Sequence, residues 1–504
     1  MKKILAMVLV LLMLASMLLA CQKQEDPTSD PTNPAVVPQG DTTQEDDHGY
    51  VADRLPTGAE LESLGFAGST LKIMGYEEDE AQTLPKEDST EDPLKSVLYN
   101  HWGSVKERFD ISFEVKYVKG RYQHKTTFFT EARADDAMYD LIQTESLFPM
   151  ELATEGRLCN LKNLGFPDLE MPWWPESVEL FTQHGGLYMI GSNTSACGIS
   201  NMTLIFIDDG VITSKGMASP VESVIRGVWT VEEMTNIVKL FAGAAENATE
   251  ETRYYGLVVD HTSRPTALYY SSGFDTVVNN ADGVGELAYD EESEIEAISK
   301  ALNKYEEMFT GAQTKIHRVS DRDVYDELQQ GRTAMLLGYM EIIRSMENTE
   351  DYTVVPLPLL DEAQSNPEAA GKGYRTVHRD CFDMWCMPTT TSNKVLSGMV
   401  LEANASGEYR KIGPFYYEQY LKDRYANGAS GRVCFDILRA SVVYDLGRVA
   451  GQGAGFGAQG DFATCLTPAT GFVNTFAGNI KGKLESHVIN FEKMLENMAK
   501  YVNN

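Results

Sequence analysis

From residue 71 onward, short apolar runs of strand length alternate with stretches of helical periodicity. This alternation narrows the fold more than any other feature of the chain. Leu71-Lys-Ile-Met-Gly75 predicts a short strand ending in glycine, and Leu94, Val97, Leu98, Trp102 and Val105 share one face of a predicted helix over 93–109. Strands are expected over 111–118 and 139–142, with helices over 122–134 and 148–156. Further strands are expected over 187–190, 204–207, 254–259, 333–337, 352–357 and 381–387. Between them fall helices over 231–241, 290–309 and 323–330; Thr230 caps the first, with Glu233 at the capping-box position, and Gly331 closes the last. From Lys394 the chain reads mostly as helices, interrupted by the glycine-rich run 447–460, and no internal repeat is found. Strands alternating with helices of this size build mainly parallel sheets. Such sheets bind ligands beyond the carboxyl ends of their strands, which singles out Tyr76 and Glu77, then Thr144, Glu145 and Ser146.

The first residues have a different logic. Lys2 and Lys3 precede an apolar run from Ile4 to Ala20 that stops at a small residue before a polar stretch. That is the pattern of a secretory signal over 1–20 rather than of a spanning helix. Leu18-Leu-Ala-Cys21 looks like a bacterial lipobox, in which Cys21 takes a diacylglycerol and the chain is cut before it. No other segment is apolar enough to span a bilayer, so lipid on Cys21 is the expected anchor, on the extracellular side of the cell membrane. Residues 21–68 hold Pro27, Pro31, Pro34, Pro38 and the cluster Glu45, Asp46, Asp47, and predict a disordered acidic tether behind the lipidated cysteine.

Removing 20 of the 504 residues leaves 484, more than one core usually takes, so two lobes are expected. The loss of Lys2 and Lys3 leaves 41 basic against 74 acidic residues, a formal charge of −33. Such a charge argues against nucleic acid or anionic head groups as partners. Cys159, Cys197, Cys381, Cys386, Cys434 and Cys465 are scattered, without a metal-type pair, and buried thiols are expected over disulfides. The eight histidines are dispersed too; neither a metal nor a cofactor is expected.

The order of these features resembles the carbohydrate-type, maltose-binding-protein-like extracellular solute-binding proteins of ABC importers. Asp140-Leu-Ile, then Gly156-Arg-Leu-Cys-Asn-Leu, is similar to their third strand and the turn after it. Gly186-Leu-Tyr-Met-Ile-Gly and Leu204-Ile-Phe-Ile-Asp-Asp look like the passage into the second lobe. Trp229-Thr-Val-Glu-Glu-Met, Tyr255-Gly-Leu, Gln330-Gly-Arg-Thr-Ala-Met335, Val355-Pro-Leu-Pro358 and Ser392-Asn-Lys394 follow in the family's order. Each motif is weak; their number and spacing over about 69–500 carry the resemblance. Asp208-Asp209 departs from the usual Asn-Lys-Asp. The tail from Tyr416 to Gly447, with Arg439-Ala-Ser-Val-Val-Tyr-Asp-Leu-Gly, looks like a branch common in anaerobic Gram-positive bacteria, and this leaves the ligand open.

The resemblance implies an α/β, type II two-lobe clamp, periplasmic-binding-protein-like, each lobe a mainly parallel sheet flanked by helices. Lobe 1 would hold 69–203 and 353–407, and lobe 2 would hold 204–352 and 408–504. It further implies a monomer that captures a small solute, expected to be a sugar or oligosaccharide, and delivers it to ABC permease subunits. Aromatic faces stack on pyranose C–H faces while polar side chains bond the hydroxyls. Candidate cleft residues are Tyr76, Glu145, Ser146, Asn193, Asn201, Tyr339, Asp383 and Trp385, with Trp385 open between core and stacking platform. No catalysis is expected. The alternatives are a peptide or polyamine ligand, a sensor or adhesin, or a secreted glycoside hydrolase using two carboxylates such as Glu77 and Glu145.

Overall fold

The computed structural model describes residues 49–134, 136–174, 177–192, 194–242, 248–249, 252–261, 264–317, 323–345, 352–366, 371–379, 382–426, 428–468 and 472–504. The signal segment, Cys21 and Cys381 lie outside the described residues. Strands run in chain order as β1 Thr70–Tyr76, β2 Ser112–Val118, β3 Leu141–Glu145, β4 Thr203–Ile207, β5 Leu257–Asp260, β6 Val277–Asn279, β7 Gly285–Leu287, β8 Thr314–His317, β9 Met335–Tyr339, β10 Thr353–Val355 and β11 Asp383–Cys386. The first sheet has the order β11-β3-β1-β2 and the second β10-β4-β9-β5-β8, while β6 and β7 form a hairpin. In the first sheet β1 runs parallel to β2 and β3, and β11 returns antiparallel on the edge. In the second, β5 is parallel to β8 and β9, and β4 is antiparallel to β9 and β10. Helices flank both sheets, giving the expected two-lobe α/β architecture. β3, β4 and β9 are buried at every position, which explains the near-continuous apolar character of β4 and β9, whereas β3 buries Gln143, Thr144 and Glu145 in its second half.

The helix Pro93–Phe109 starts where the sequence indicates. Asp92 accepts from the amides of Leu94 and Lys95, proline occupies the first turn, and Asp110 ends the helix at φ 51°. Its buried face divides: Leu94 and Leu98 join the apolar cluster containing Leu204, Phe206 and Leu336, whereas Trp102, Val105 and Phe109 join the one containing Leu71 and Ile73. Thr230 caps Val231–Lys239 through the Glu233 amide, but the Glu233 carboxylate takes the Ser223 hydroxyl instead of completing a capping box.

Four expectations are corrected. Residues 49–68 are not tether: Asp53 accepts both terminal nitrogens of Arg108 at 2.8 and 2.7 Å, Leu55 and Phe66 are buried, and Gly58–Ser63 is a helix. Two apolar anchors suffice to order a stretch whose average composition is polar. β10, placed in lobe 1 by the boundary at 353, pairs with β4 in the second sheet, so the return crossing falls after residue 355. Segment 187–190 forms no strand and makes a single bridge, Ile190 to Trp385. The glycine-rich run is largely helical, over Leu446–Ala454 and Gln459–Leu466. Asp445 caps the first of these helices through the Arg448 amide, and Gly447 lets it approach Thr276, where an added Cβ would lie 2.2 Å from the Thr276 methyl.

The C-terminal helix Phe476–Lys500 ties the chain together. Lys481 pairs with Glu292 and His487 with Tyr289 on the second lobe, while Tyr188 donates to the Met498 carbonyl and Asn160 to the Val502 carbonyl on the first. The described cysteines are buried thiols. Glu402 is buried beside Trp174, which donates to it at 3.1 Å, and burial pushes its carboxyl up to about 8. His378 packs against both Phe382 and Tyr444, with ring centroids at 4.8 and 5.0 Å, and neither ring nitrogen has a hydrogen-bond partner. Burial, aided by Arg448, lowers its pKa to about 3.

Two predictions follow from this packing. A Cβ on Gly398 would sit 2.1 Å from the Phe166 carbonyl oxygen, whereas one on Gly478 meets nothing within 4 Å. Gly398→Ala should therefore destabilise by about 1–3 kcal/mol, and Gly478→Ala in the exposed helix should stabilise by up to about 1 kcal/mol. Urea midpoints in opposite directions from wild type are the expected readout. His378 binds its proton only below about pH 3 in the fold but near 6.5 when unfolded. Its contribution to stability is thus complete above 6.5 and is lost as pH falls towards 3. Relative to wild type, His378→Phe should gain stability between pH 7.5 and 4.5; a difference independent of pH would refute the assignment.

Candidate ligand-binding cleft

β1 and β3 lie side by side and end at Tyr76 and Glu145, so both residues reach the same edge of the first sheet. The Glu145 side chain is 3% exposed, and a carboxylate cannot stay charged there without compensation. Arg121 supplies it, donating from Nε at 2.6 Å. Arg121 opens the helix that follows β2, and the turn into that helix passes through Gly120 at φ 82°, whose amide donates to Glu78 at 2.7 Å. Tyr76 packs its ring 4.8 Å from His124 and donates its amide to Gln143. Burial, then the charge of Glu145, raise its hydroxyl pKa above the usual tyrosine value; Arg379 works against that rise.

On the second sheet, β5 ends at Asp260 and β9 at Tyr339. Arg264 is 1% exposed and donates to Asp260 at 2.8 Å and to the Tyr325 hydroxyl at 2.7 Å. Its guanidinium lies 4.5 Å from the Tyr339 ring centroid. Burial opposes its charge, yet Tyr325, Tyr339 and Asp260 hold its pKa above the ordinary arginine value. Arg379 comes from the connection between the lobes; it stands 5.7 Å from the same ring and 3.8 Å from Glu341. Arg379 also acts electrostatically on Tyr76 at the end of β1, lowering its pKa slightly. A cavity of about 490 Å³ is lined by Gln82 and Asp92 from one lobe and by Tyr325, Glu341, Arg344 and Tyr420 from the other. Asp92 and Arg344 form an ion pair across it.

The eight sequence candidates separate accordingly. Tyr76 and Glu145 share the carboxyl edge of the first sheet, Tyr339 ends β9 on the second, and Asp383 occupies the register position opposite Glu145. Ser146 is buried and donates its amide to the Phe382 carbonyl at 2.8 Å. Asn201 bonds its side chain to the Cys197 carbonyl and offers its own carbonyl to the Arg379 amide at 2.7 Å, so it positions Arg379. Trp385 packs 6.0 Å from Trp102 and pairs its backbone with Ile190, which resolves it as core. Asn193 lies outside the described residues. Glu77, nominated with Glu145 for hydrolysis, pairs with Lys86 at 3.4 Å. Among the described residues no cluster of three His, Cys, Asp or Glu could hold a metal ion, and no helix is long and apolar enough to cross a membrane.

The sequence reading missed Arg121, Arg264, Arg379 and Tyr325. A signal existed for two of them. Arg121 follows the strand over 111–118, whose loop the strand-end rule covers, and Arg264 lies four residues beyond Asp260. Arg379 follows no strand of the second sheet, and nothing local marks it.

The sequence matches no family model and no curated protein. Its structure is similar to the galacto-N-biose-/lacto-N-biose I-binding protein of an ABC transporter from Bifidobacterium longum, at a TM-score of 0.56 and 12% identity, covering 84% of this chain and 98% of that one. It is also similar to an ABC transporter-associated binding protein from B. animalis subsp. lactis, at a TM-score of 0.50 and 12% identity, covering 86% and 98%. Two sheets flanked by helices and overlap with nearly the whole of those chains give this protein the fold of the type II two-lobe solute-binding clamp.

Proposed function

We propose that this protein captures a saccharide between its lobes and hands it to an ABC permease, without catalysing a reaction. The observation that carries the reading is the structural likeness over 84% of the chain to a binding protein whose structure holds lacto-N-biose. The second neighbour holds β-1,6-galactobiose. The cleft chemistry supports the same reading. Glu145 and Arg121 together present acceptors and donors to vicinal hydroxyls, and their mutual ion pair fixes the geometry before a ligand arrives. Tyr76, Tyr325 and Tyr339 add aromatic surface with polar tips.

The same proposal includes a signal peptide over 1–20, lipid on Cys21 and a tether that, given the ordered segment, reaches only to about residue 48. A monomeric clamp held at the outer face of the membrane would keep its solute close to the permease. Lobe 1 is best drawn as residues 49–202 with 383–407, and lobe 2 as 203–355 with 408–475, the C-terminal helix gripping both.

Ligand binding stabilises the native state by mass action, by about 2.7 kcal/mol at a hundredfold excess over Kd. A panel of mono- and oligosaccharides should include members that raise the melting temperature of the protein. Glu145→Gln should weaken those members at least tenfold while the unliganded melting temperature stays within a few degrees. Melting shifts produced by peptides and by no saccharide would overturn the reading, as would release of sugar from a glycoside substrate by the purified protein.

A further inference from the structure

One helical run crosses from lobe 1 to lobe 2, and its winding changes where it crosses. Lys394–Gly407 is α-helical, whereas Glu408–Ile412 and Phe415–Lys422 are π-wound, with Gly413 and Pro414 between them. Leu396, Met399 and Leu401 lie in the core that holds Leu71 and Ile73 of β1. Ile412, Tyr416 and Tyr420 lie in the one that holds Leu204 and Phe206 of β4. π-winding is rare, is mostly confined to a single turn, and recurs at functional sites. Pro414 has no amide to give the helical ladder. An added Cβ on Gly413 would lie 3.0 Å from the Glu408 carbonyl oxygen and 3.0 Å from the Thr194 Cβ, so the run is closely packed at this point.

Residues 50–55, the first ordered stretch after the proposed tether, lie against this crossing. The Tyr50 ring meets Tyr409 edge-on, with centroids 5.5 Å apart. Tyr409 is the second residue of the first π-wound stretch and packs also against Trp173 at 6.0 Å. The Asp53 side chain is 5% exposed and holds Arg108 with both oxygens. Arg108 lies in the last turn of Pro93–Phe109, the helix whose buried face enters both cores. That helix meets the crossing run at Gly407, where an added Cβ would lie 2.0 Å from the His101 ring. Arg54 pairs with Asp168 at 3.3 Å, and the Asp168 amide donates to Glu402 of the crossing run at 3.1 Å. One short segment therefore touches both lobe-spanning helices, one of them at the winding change itself.

A helix relaxes to α-winding unless its surroundings hold it otherwise. A π-wound stretch that returned to α-winding would advance and rotate whatever follows it, here the helices of lobe 2. We propose that residues 50–55 are a strap that sets the angle between the lobes, by holding the crossing run in its π-wound form through the contact of Tyr50 with Tyr409. The strap continues directly from the segment proposed as a tether, so a pull on the tether reaches the clamp at the point where its lobes join. This inference goes beyond the saccharide reading and does not depend on it.

The test measures the distance between the lobes in the ligand-free full mature chain, by spin labels on cysteines introduced with Glu114→Cys on β2 and Lys300→Cys on the helix Glu292–Asn303. Both positions are exposed, while the described native thiols are buried. Tyr50→Ala should shift the mean distance by at least about 1.5 Å, the rise of one helical residue, with a melting temperature within a few degrees of wild type. Tyr50→Phe keeps the ring and should keep the wild-type distance. Asp53→Asn loosens the strap at its other end and should shift the distance in the same direction as Tyr50→Ala, which keeps the test decisive if the alanine variant fails to fold. Wild-type distances in both Tyr50→Ala and Asp53→Asn overturn the proposal, whether or not their melting temperatures fall, because the segment would then only add stability. An equal shift in Tyr50→Phe and Tyr50→Ala overturns it as well, since the ring contact would not be what holds the winding.

Discussion

The helix Pro93–Phe109 belongs to two cores at once, and the relation between the lobes depends on that. Leu94 and Leu98 are buried with the second sheet's side chains, Trp102, Val105 and Phe109 with the first sheet's. A rigid rod shared in this way cannot follow one lobe without dragging apolar surface out of the other. At its amino end Asp92 both caps the helix and pairs with Arg344 of the second lobe, so one carboxylate fixes the helix start and the lobe spacing together. The C-terminal helix makes a second span, holding Glu292 and Tyr289 on one lobe and, through the residues near its end, Tyr188 and Asn160 on the other.

Between these two spans the strand ends are free of the core, and the chemistry changes there. Two buried carboxylates at the strand ends have fixed partners: Glu145 has Arg121 and Asp260 has Arg264. Removing Arg264 would leave Asp260 desolvated and unpaired, whereas Arg121 is exposed enough for water to take over if Glu145 loses its charge. Pairs of this kind hold their side chains in one arrangement and leave little conformational freedom at the strand ends. Identity of 12% to solved structures that share the fold fits this division. The sheets require only apolar side chains of suitable volume, while the cleft residues set what is bound.

Much of the local structure was legible. The helix over 93–109, the cap at Thr230 and the buried strands of both lobes were marked by periodicity, capping chemistry and unbroken apolar runs. The strand pattern also placed Tyr76 and Glu145 at strand ends, where β1 and β3 do stop. Other features were illegible for stated reasons. Segment 187–190 has the apolar pattern of a strand but is buried without a ladder partner, and burial is all that the pattern reports. The run 447–460 looked like a loop because glycine disfavours helix in isolation; close approach to Thr276 outweighs that preference. Residues 49–68 looked disordered because composition averages away the two anchors, Leu55 and Phe66.

The sequence by itself determined which segments become strands and helices, because spacing of apolar residues and capping groups acts over a few positions. It also determined the α/β class, since alternation of such segments leaves few other arrangements. Tertiary structure alone decided that β10 joins β4, that Trp385 packs in the core, and that Arg264 and Arg379 gather around Tyr339. Those outcomes depend on contacts between residues tens to hundreds of positions apart. A one-dimensional pattern carries the burial of each residue but not the identity of the group that will compensate its charge.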